Sequence, residues 1–334
     1  MFRLERLRRL PSNADAFVEE IAEGIAGLYG PEAAAQYRAT GTKVLQSAID
    51  HDGVDVIAVQ EGRCAAGILM TYVRYRLGYV SFLHVLNGHE DRHVERRLIR
   101  EGVRTLRAGG VDGIVYECLA FGALDLDGTF PPLGFEPIDR AIMIAPLRDG
   151  DWASYRPVTS EAEPESFQEM AQAIVNAYEE HPGRRLHVEV RQPAHAADFL
   201  RRVVEEDYGY FRPAYMRAAW RGERCTGAIV GCEVAPGYGF VLQAAVRRDD
   251  RDQGIGATLV RDLEHAFWQA GMHHVALGVT LDNPARALYE RLGFVVARPV
   301  RVYTWWRPER IPTYRRNTPP RPNPCECCET SASR

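Results

Sequence analysis

The chain has 334 residues, 46% of them hydrophobic and 26% charged, with a formal net charge of −4. That is a globular composition long enough for two cores, and its slightly acidic balance argues against a nucleic-acid or membrane-surface role for the whole chain. No apolar run approaches the length of a membrane span, and the first ten residues, MFRLERLRRL, are too charged to serve as a secretory signal, so the cytoplasm is the expected compartment. The cysteines number seven with no disulfide-like spacing, and Cys64, Cys118, Cys225 and Cys232, each among apolar residues, are expected to be buried, reduced thiols.

In chain order, the first half offers an apolar strand at Tyr79–Val85, a helix at Val94–Arg107, a strand at Gly110–Tyr116, the tripeptide Leu133-Gly134-Phe135 and a closing strand at Ala141–Ala145. His84, His89 and His93 lie near one another, but their spacing places no ligand set on one helix face, so solvent-facing histidines are expected in preference to a metal site. The polar, turn-rich segment Arg148–Pro157 marks a join. Beyond it, Glu165–Tyr178 reads as an amphipathic helix with Phe167, Met170, Ile174 and Val175 on one face, and Ala194–Val204 as another. Tyr215–Trp220 and Thr226–Val234 read as antiparallel strands around an Arg221-Gly222 turn, followed by a strand at Phe240–Val246.

That strand leads into Arg251-Asp252-Gln253-Gly254-Ile255-Gly256 and then a helix, Ala257–Gln269, with Leu259, Leu263 and Phe267 at helical spacing. Strand, glycine loop and helix form an anion-binding arrangement, because the first-turn N–H groups are unpaired and the helix dipole adds positive charge there. A strand at His274–Thr280 comes next, then Asn283-Pro-Ala-Arg-Ala-Leu-Tyr289-Glu-Arg-Leu-Gly293-Phe294 and a closing strand at Val300–Trp305. The pieces of the second half therefore repeat those found about 160 residues earlier, read from the sequence as an internal repeat. The first copy lacks the glycine pair: its Asn87–His93 loop sets Glu90 and Asp91 where the second has glycines, and Ala120–Pro132 has no Asn-to-Tyr counterpart. After Trp306 an Arg- and Pro-rich tail runs to Cys325, Cys327 and Cys328; its composition cannot build a core, and incidental thiols are expected in preference to a soft-metal site.

Arg251, Gly254 and Gly256, with Asn283, Ala287, Tyr289, Gly293 and Phe294, resemble the two signatures of the GNAT acyltransferase superfamily; the alanine falls one register late. A dinucleotide fold would require Gly-x-Gly-x-x-Gly, which is absent. The resemblance implies an α/β fold of two tandem GNAT-like domains, each a mixed, mostly antiparallel sheet flanked by helices. Residues 1–150 would be a degenerate copy, 151–306 an acetyl-CoA-binding domain and 307–334 a flexible tail. The layout is similar to that of mycothiol synthase, though layout alone carries no substrate with it. The resemblance further implies an N-acetyltransferase moving an acetyl group from acetyl-CoA, as co-substrate, to a primary amine of a small molecule or peptide. No metal, nucleic acid or membrane partner is expected. Backbone groups of Ala244, Ala245 and Val246 would meet the pantetheine arm, the loop Arg251, Asp252, Gln253, Gly254, Ile255, Gly256 and Ala257 the pyrophosphate, Asn283 the arm near the thioester, and Tyr289 would protonate the leaving thiolate. A general base is not evident: Gln243 cannot accept a proton at neutral pH, and Glu233, Glu179, Glu180 and His181 are more readily explained as surface charge. A non-catalytic acyl-CoA sensor or scaffold is the alternative; a narrower one, an aminoacyl-tRNA-dependent transferase, is disfavoured by the intact pyrophosphate loop.

Overall fold

The computed structural model describes residues 2–89, 93–117, 124–148, 152–179 and 181–312. Glu90, Asp91, Cys118, Glu180 and the cysteines of the tail, to which expectations were attached, lie outside them. The first half comprises β1 (Arg3–Arg6), α1 (Ala14–Asp50), β2 (Val54–Glu61), β3 (Cys64–Arg74), β4 (Leu77–Val85), α2 (Val94–Ala108), β5 (Gly113–Tyr116), α3 (Leu126–Thr129) and β6 (Glu136–Pro146). The second comprises β7 (Ser160–Glu161), α4 (Phe167–Ala177), α5 (Pro193–Val204), β8 (Met216–Arg221), β9 (Arg224–Ala235), β10 (Tyr238–Val246), α6 (Ile255–Gln269), β11 (His274–Thr280), α7 (Ala285–Arg291) and β12 (Val295–Trp306). The fold is mixed α/β around a large, mostly antiparallel sheet, as the sequence implies. The long α1, kinked at Gly30 (φ 87°) before Pro31, was not foreseen. No helix among the described residues is long and apolar enough to cross a membrane.

All twelve strands join one sheet in the order β1-β2-β3-β4-β5-β12-β6-β11-β10-β9-β8-β7. The order reads the same from either edge once the halves are matched, β1 against β7 and β6 against β12. The two inner strands are exchanged. β6 pairs only with β11 and β12, and β12 only with β5 and β6, so each half's last strand is held by the other half. The cores follow the exchange: Tyr303 of β12 packs with Leu98, Val103 and Phe130 of the first half, while Ala141, Met143 and Ala145 of β6 pack with Leu263, Phe267 and Phe294 of the second.

The α6 helix forms because its apolar residues fall on one stripe, and Leu259, Leu263 and Phe267 are at most 1% exposed. Each such side chain contributes about 1.5–3 kcal/mol through burial. Phe267 lies flat on β9 and β10 only because glycine is beneath it: a Cβ on Gly239 or Gly231 would come to 2.5 and 2.6 Å of the ring. This contact sets the height of α6, and with it the position of the loop at its N-terminus.

Two expectations fail here. Cys64 is exposed, because it opens β3 beside the Gly62 turn instead of facing the core; Cys225 and Cys232 are buried as expected. His84 is no surface residue: it is 2% exposed against α1, 3.0 Å from the Glu20 carboxylate. No cluster of three metal-ligating side chains occurs among the described residues.

Candidate active site

The parallel strands β10 and β11 pair only over Tyr238–Val241 and His274–Leu277; beyond these they diverge. Antiparallel alternation turns one set of β10 backbone groups to β9, as the Arg247 amide shows by donating to the Thr226 carbonyl. The amides of Ala244 and Val246 therefore face the gap, and Ala245 faces β9. Ala244 N–H donates to Gln243 Oε1 (3.1 Å), which also accepts from the Tyr178 hydroxyl (2.8 Å).

At the wide end of the gap stands the glycine loop. Asp252 (φ 60°) and Gly254 (φ 80°) are both left-handed, and Gly254 is the N-cap of α6, whose first turn carries no side-chain cap. The loop is braced by its own side chains. Arg251 donates to the Ala177 carbonyl at the end of α4 (2.7 Å), and Gln253 accepts from Arg221 (2.7 Å). The buried Asp250 carboxylate takes Arg221 at 2.8 Å and Arg224 at 2.7 Å. With Arg251 and Gln253 so occupied, it is the first-turn backbone, Ile255, Gly256 and Ala257, that offers donors to an anion. Gly256 is tight, since a Cβ there would meet Leu288 of α7 at 3.2 Å.

Asn283 caps α7 by accepting from the Ala285 amide (2.9 Å), and it is hydrogen-bonded to His181. His181 in turn accepts at Nδ1 from the Gly183 amide (2.9 Å), and burial lowers its pKa. Tyr289 is 9% exposed, packed 5.8 Å from the Phe294 ring, and burial pushes its phenol up to about 12.

These residues line one cavity of about 1050 Å³ that runs from Gly254 and Gly256, past Asn283 and Tyr289, to a deep end reached by both halves of the chain. The deep end holds Tyr178, His187 and Glu189 of the second half, with Tyr72, Arg74, Tyr79 and Arg140 of the first. Burial raises the pKa of Glu189, while Arg74, Arg191 and Arg140 pull it back. His187, whose Nδ1 is 3.4 Å from Glu189, is driven down to about 3 by burial and by Arg140, so it is neutral at physiological pH. Sequence reasoning missed Glu189 and His187. They lie in an irregular segment between α4 and α5, where Val188 and Val190 are buried in packing and His187 and Glu189 line the cavity, a placement that no sequence period announces. Of the base candidates that sequence suggested, His181 lines the cavity; Glu233 and Glu179 do not, Glu179 lying on the surface 3.5 Å from Arg248.

The start of α2, which corresponds to that of α6, differs in its side chains. The N-cap of α2, His93, is left-handed like Gly254 (φ 52°), but Glu95 stands where Gly256 does. Its carboxylate accepts from the Asp125 amide (3.0 Å) and lies 3.4 Å from the Thr129 hydroxyl, so it ties the first turn of α2 to α3 and sets a negative charge beside that helix start. Phe130, five residues before Phe135 as Tyr289 is before Phe294, has no hydroxyl and stacks on Tyr303 at 4.7 Å.

Comparison with known proteins agrees with this geometry. Residues 168–294 match the acetyltransferase (GNAT) family, whose members are acyltransferases. Among curated proteins, none matches the sequence. A GCN5-related N-acetyltransferase from Sphaerobacter thermophilus is similar over 91% of this chain and 95% of its own, at 17% identity and a TM-score of 0.66. A tandem GNAT protein from the clavulanic acid biosynthesis pathway is similar over 92% of this chain and 98% of its own, at 15% identity and a TM-score of 0.59. The glucosamine N-acetyltransferase region of a fungal multi-domain GH3 β-N-acetylglucosaminidase is similar over 91% of this chain and 38% of its own, at 14% identity and a TM-score of 0.62. At these identities the likeness is one of fold.

Proposed function

We propose that this protein is an N-acyltransferase that moves the acetyl group of acetyl-CoA to a primary amine of a small molecule or peptide, by direct attack in a ternary complex, with its site in the second half. The observation that carries this is the continuity of one cavity from an uncapped, glycine-started helix to a buried phenol and a half-buried carboxylate, Glu189. The α6 first turn suits a pyrophosphate, and the outward backbone of Ala244 and Val246 suits a pantetheine arm laid along the gap. The Ala244 amide is shared with Gln243, so Gln243 would have to yield it to the arm.

In the reaction the amine nitrogen forms a bond to the thioester carbon and the carbon–sulfur bond breaks. Glu189, directly or through water, takes the proton of the attacking amine; its raised pKa makes it a better base than an exposed carboxylate. Tyr289 gives its hydroxyl proton to the leaving thiolate, and a phenol kept protonated by burial suits that role. The reading of a non-catalytic acyl-CoA sensor was motivated by the lack of a base in the motifs, and Glu189 removes that motive. A screen of amines with acetyl-CoA, following thiol release beside calorimetry of CoA binding, tests the proposal. CoA binding without thiol release across the screen would favour the sensor; no CoA binding would sink both.

A further inference from the structure

The far end of the cavity is built by a strained turn of the first half. β3 and β4 are joined by Tyr75-Arg76, with Arg74 opposite Leu77 and both turn residues at positive φ, 47° and 63°. This is the hairpin turn that Asn-Gly adopts at little steric cost and that a tyrosine and an arginine resist. Such strain persists where the surroundings hold it. Here both residues are fastened: Tyr75 stacks on His195 at 3.8 Å and donates to Asp198 (2.6 Å), at α5, and Arg76 pairs with Asp112 at 2.9 Å. The turn thereby fixes the strand end behind it. Tyr72 and Arg74, two residues apart, and Tyr79, the cross-strand partner of Tyr72, share one face and project into the cavity.

Arg74 donates to the Tyr208 hydroxyl (2.6 Å) and lies over the rings of Tyr72 (5.6 Å) and Tyr208 (6.0 Å). No carboxylate pairs with it among the described residues. The other cations at this end are committed: Arg140 is paired with Glu117, and Arg191 donates to the carbonyls of Arg184 and Arg185. Glu189 is the remaining acid, and no ion pair joins it to Arg74. Glu189 acts on Arg74 only through its field, so the half-buried guanidinium fork is left with no carboxylate bonded to it, and that fork matches one that a ligand supplies.

We infer that the acceptor is an amine that also carries a carboxylate, an amino-acid-like or peptide-like zwitterion whose carboxylate binds Arg74 within the Tyr72, Tyr79 and Tyr208 wall and whose amine faces Glu189. The inference rests on the acyl-transfer reading above. It also gives the first half a task, the delivery of half the acceptor pocket.

The test is thiol release from acetyl-CoA with acceptors matched except for one carboxylate, phenylalanine against phenethylamine and 4-aminobutyrate against butylamine, together with β-alanine against 2-aminoethylphosphonate. The wild type is expected to prefer the carboxylated member by roughly tenfold or more in kcat/KM, the scale of a charge-assisted hydrogen bond. Arg74→Gln should collapse that preference to within about twofold by raising KM, with CoA affinity by calorimetry unchanged. Should the glutamine variant be unstable, Arg74→Lys carries the test: it keeps the charge, loses the fork, and is expected to raise KM several-fold for the carboxylated acceptor alone. Equal turnover of both members, a preference that survives Arg74→Gln, or selective use of the phosphonate would overturn the inference. Failure of the wild type to bind CoA, or to release thiol with any amine, would count instead against the acyl-transfer reading.

Discussion

Tyr289 combines two demands in one side chain: it is packed against Phe294, and it lines the cavity. Tyr289→Phe keeps the packing and removes the proton donor. Turnover at saturating substrate should fall on the order of a hundredfold, the usual contribution of a general acid, with CoA affinity little changed. Undiminished turnover would make Tyr289 a packing residue only. Glu189 predicts a pH dependence. A base must be deprotonated to act, and this carboxyl's pKa is raised, so kcat/KM should rise with pH along a limb displaced above the ordinary carboxylate range. Glu189→Gln should flatten that limb; an identical profile in the variant would remove Glu189 from the mechanism. The tyrosine adds no falling limb below about 12, where its phenol titrates. Of these two candidates only Tyr289 was legible in the sequence, because a fixed interval ties it, on the short α7, to the Gly293-Phe294 pair just past that helix's end. Glu189 sits in an irregular segment between α4 and α5, and its orientation is decided by where Val188 and Val190 find packing, a tertiary matter.

At the scale of elements, the loop before α6 was legible for a local reason: Gly254 must take a left-handed conformation and Gly256 must fit beside Leu288, and both needs leave glycines in the sequence. What the sequence did not disclose is that the side chains of Arg251 and Gln253 brace the loop, while the first turn of α6 carries no side-chain cap. The first half carries a carboxylate at the same place, Glu95 in the first turn of α2, bonded to the Asp125 amide. Gly256→Asp in α6 should accordingly abolish CoA binding measured by calorimetry. A carboxylate at the helix start repels the pyrophosphate and offers the first-turn amides a competing acceptor. Any fall in melting temperature should be small beside the loss of CoA binding, since Gly256 is not in a left-handed conformation and the Leu288 tip that its Cβ would meet at 3.2 Å can give way. CoA affinity close to wild type would mean that the α6 N-terminus is not the phosphate site.

For the whole molecule, the repeat was readable and the exchange of strands was not. The repeat leaves traces in sequence order, whereas β6 and β12 carry similar apolar patterns, and nothing local says which half each will join. The consequence concerns whether the halves are separable. A chain ending near residue 148 would keep β1 to β5 but leave β6 without β11 and β12, its only partners, and Phe130 without Tyr303. A chain starting at 152 would leave β12 without β5 and β6, and β11 without its full-length neighbour. Each fragment then exposes a long unpaired edge and an open core, an aggregation hazard. Expressed separately, residues 1–148 and 152–312 should therefore be insoluble or unfolded by circular dichroism. Co-expressed, they should assemble into a one-to-one complex that binds CoA like the intact chain, because every ladder is then restored without the connecting peptide. The opposing outcome is specific: a folded, monomeric 152–312 fragment with wild-type CoA affinity would mean that β12 turns back into the place of β6 beside β11, and that the exchange is not needed for the fold of either half.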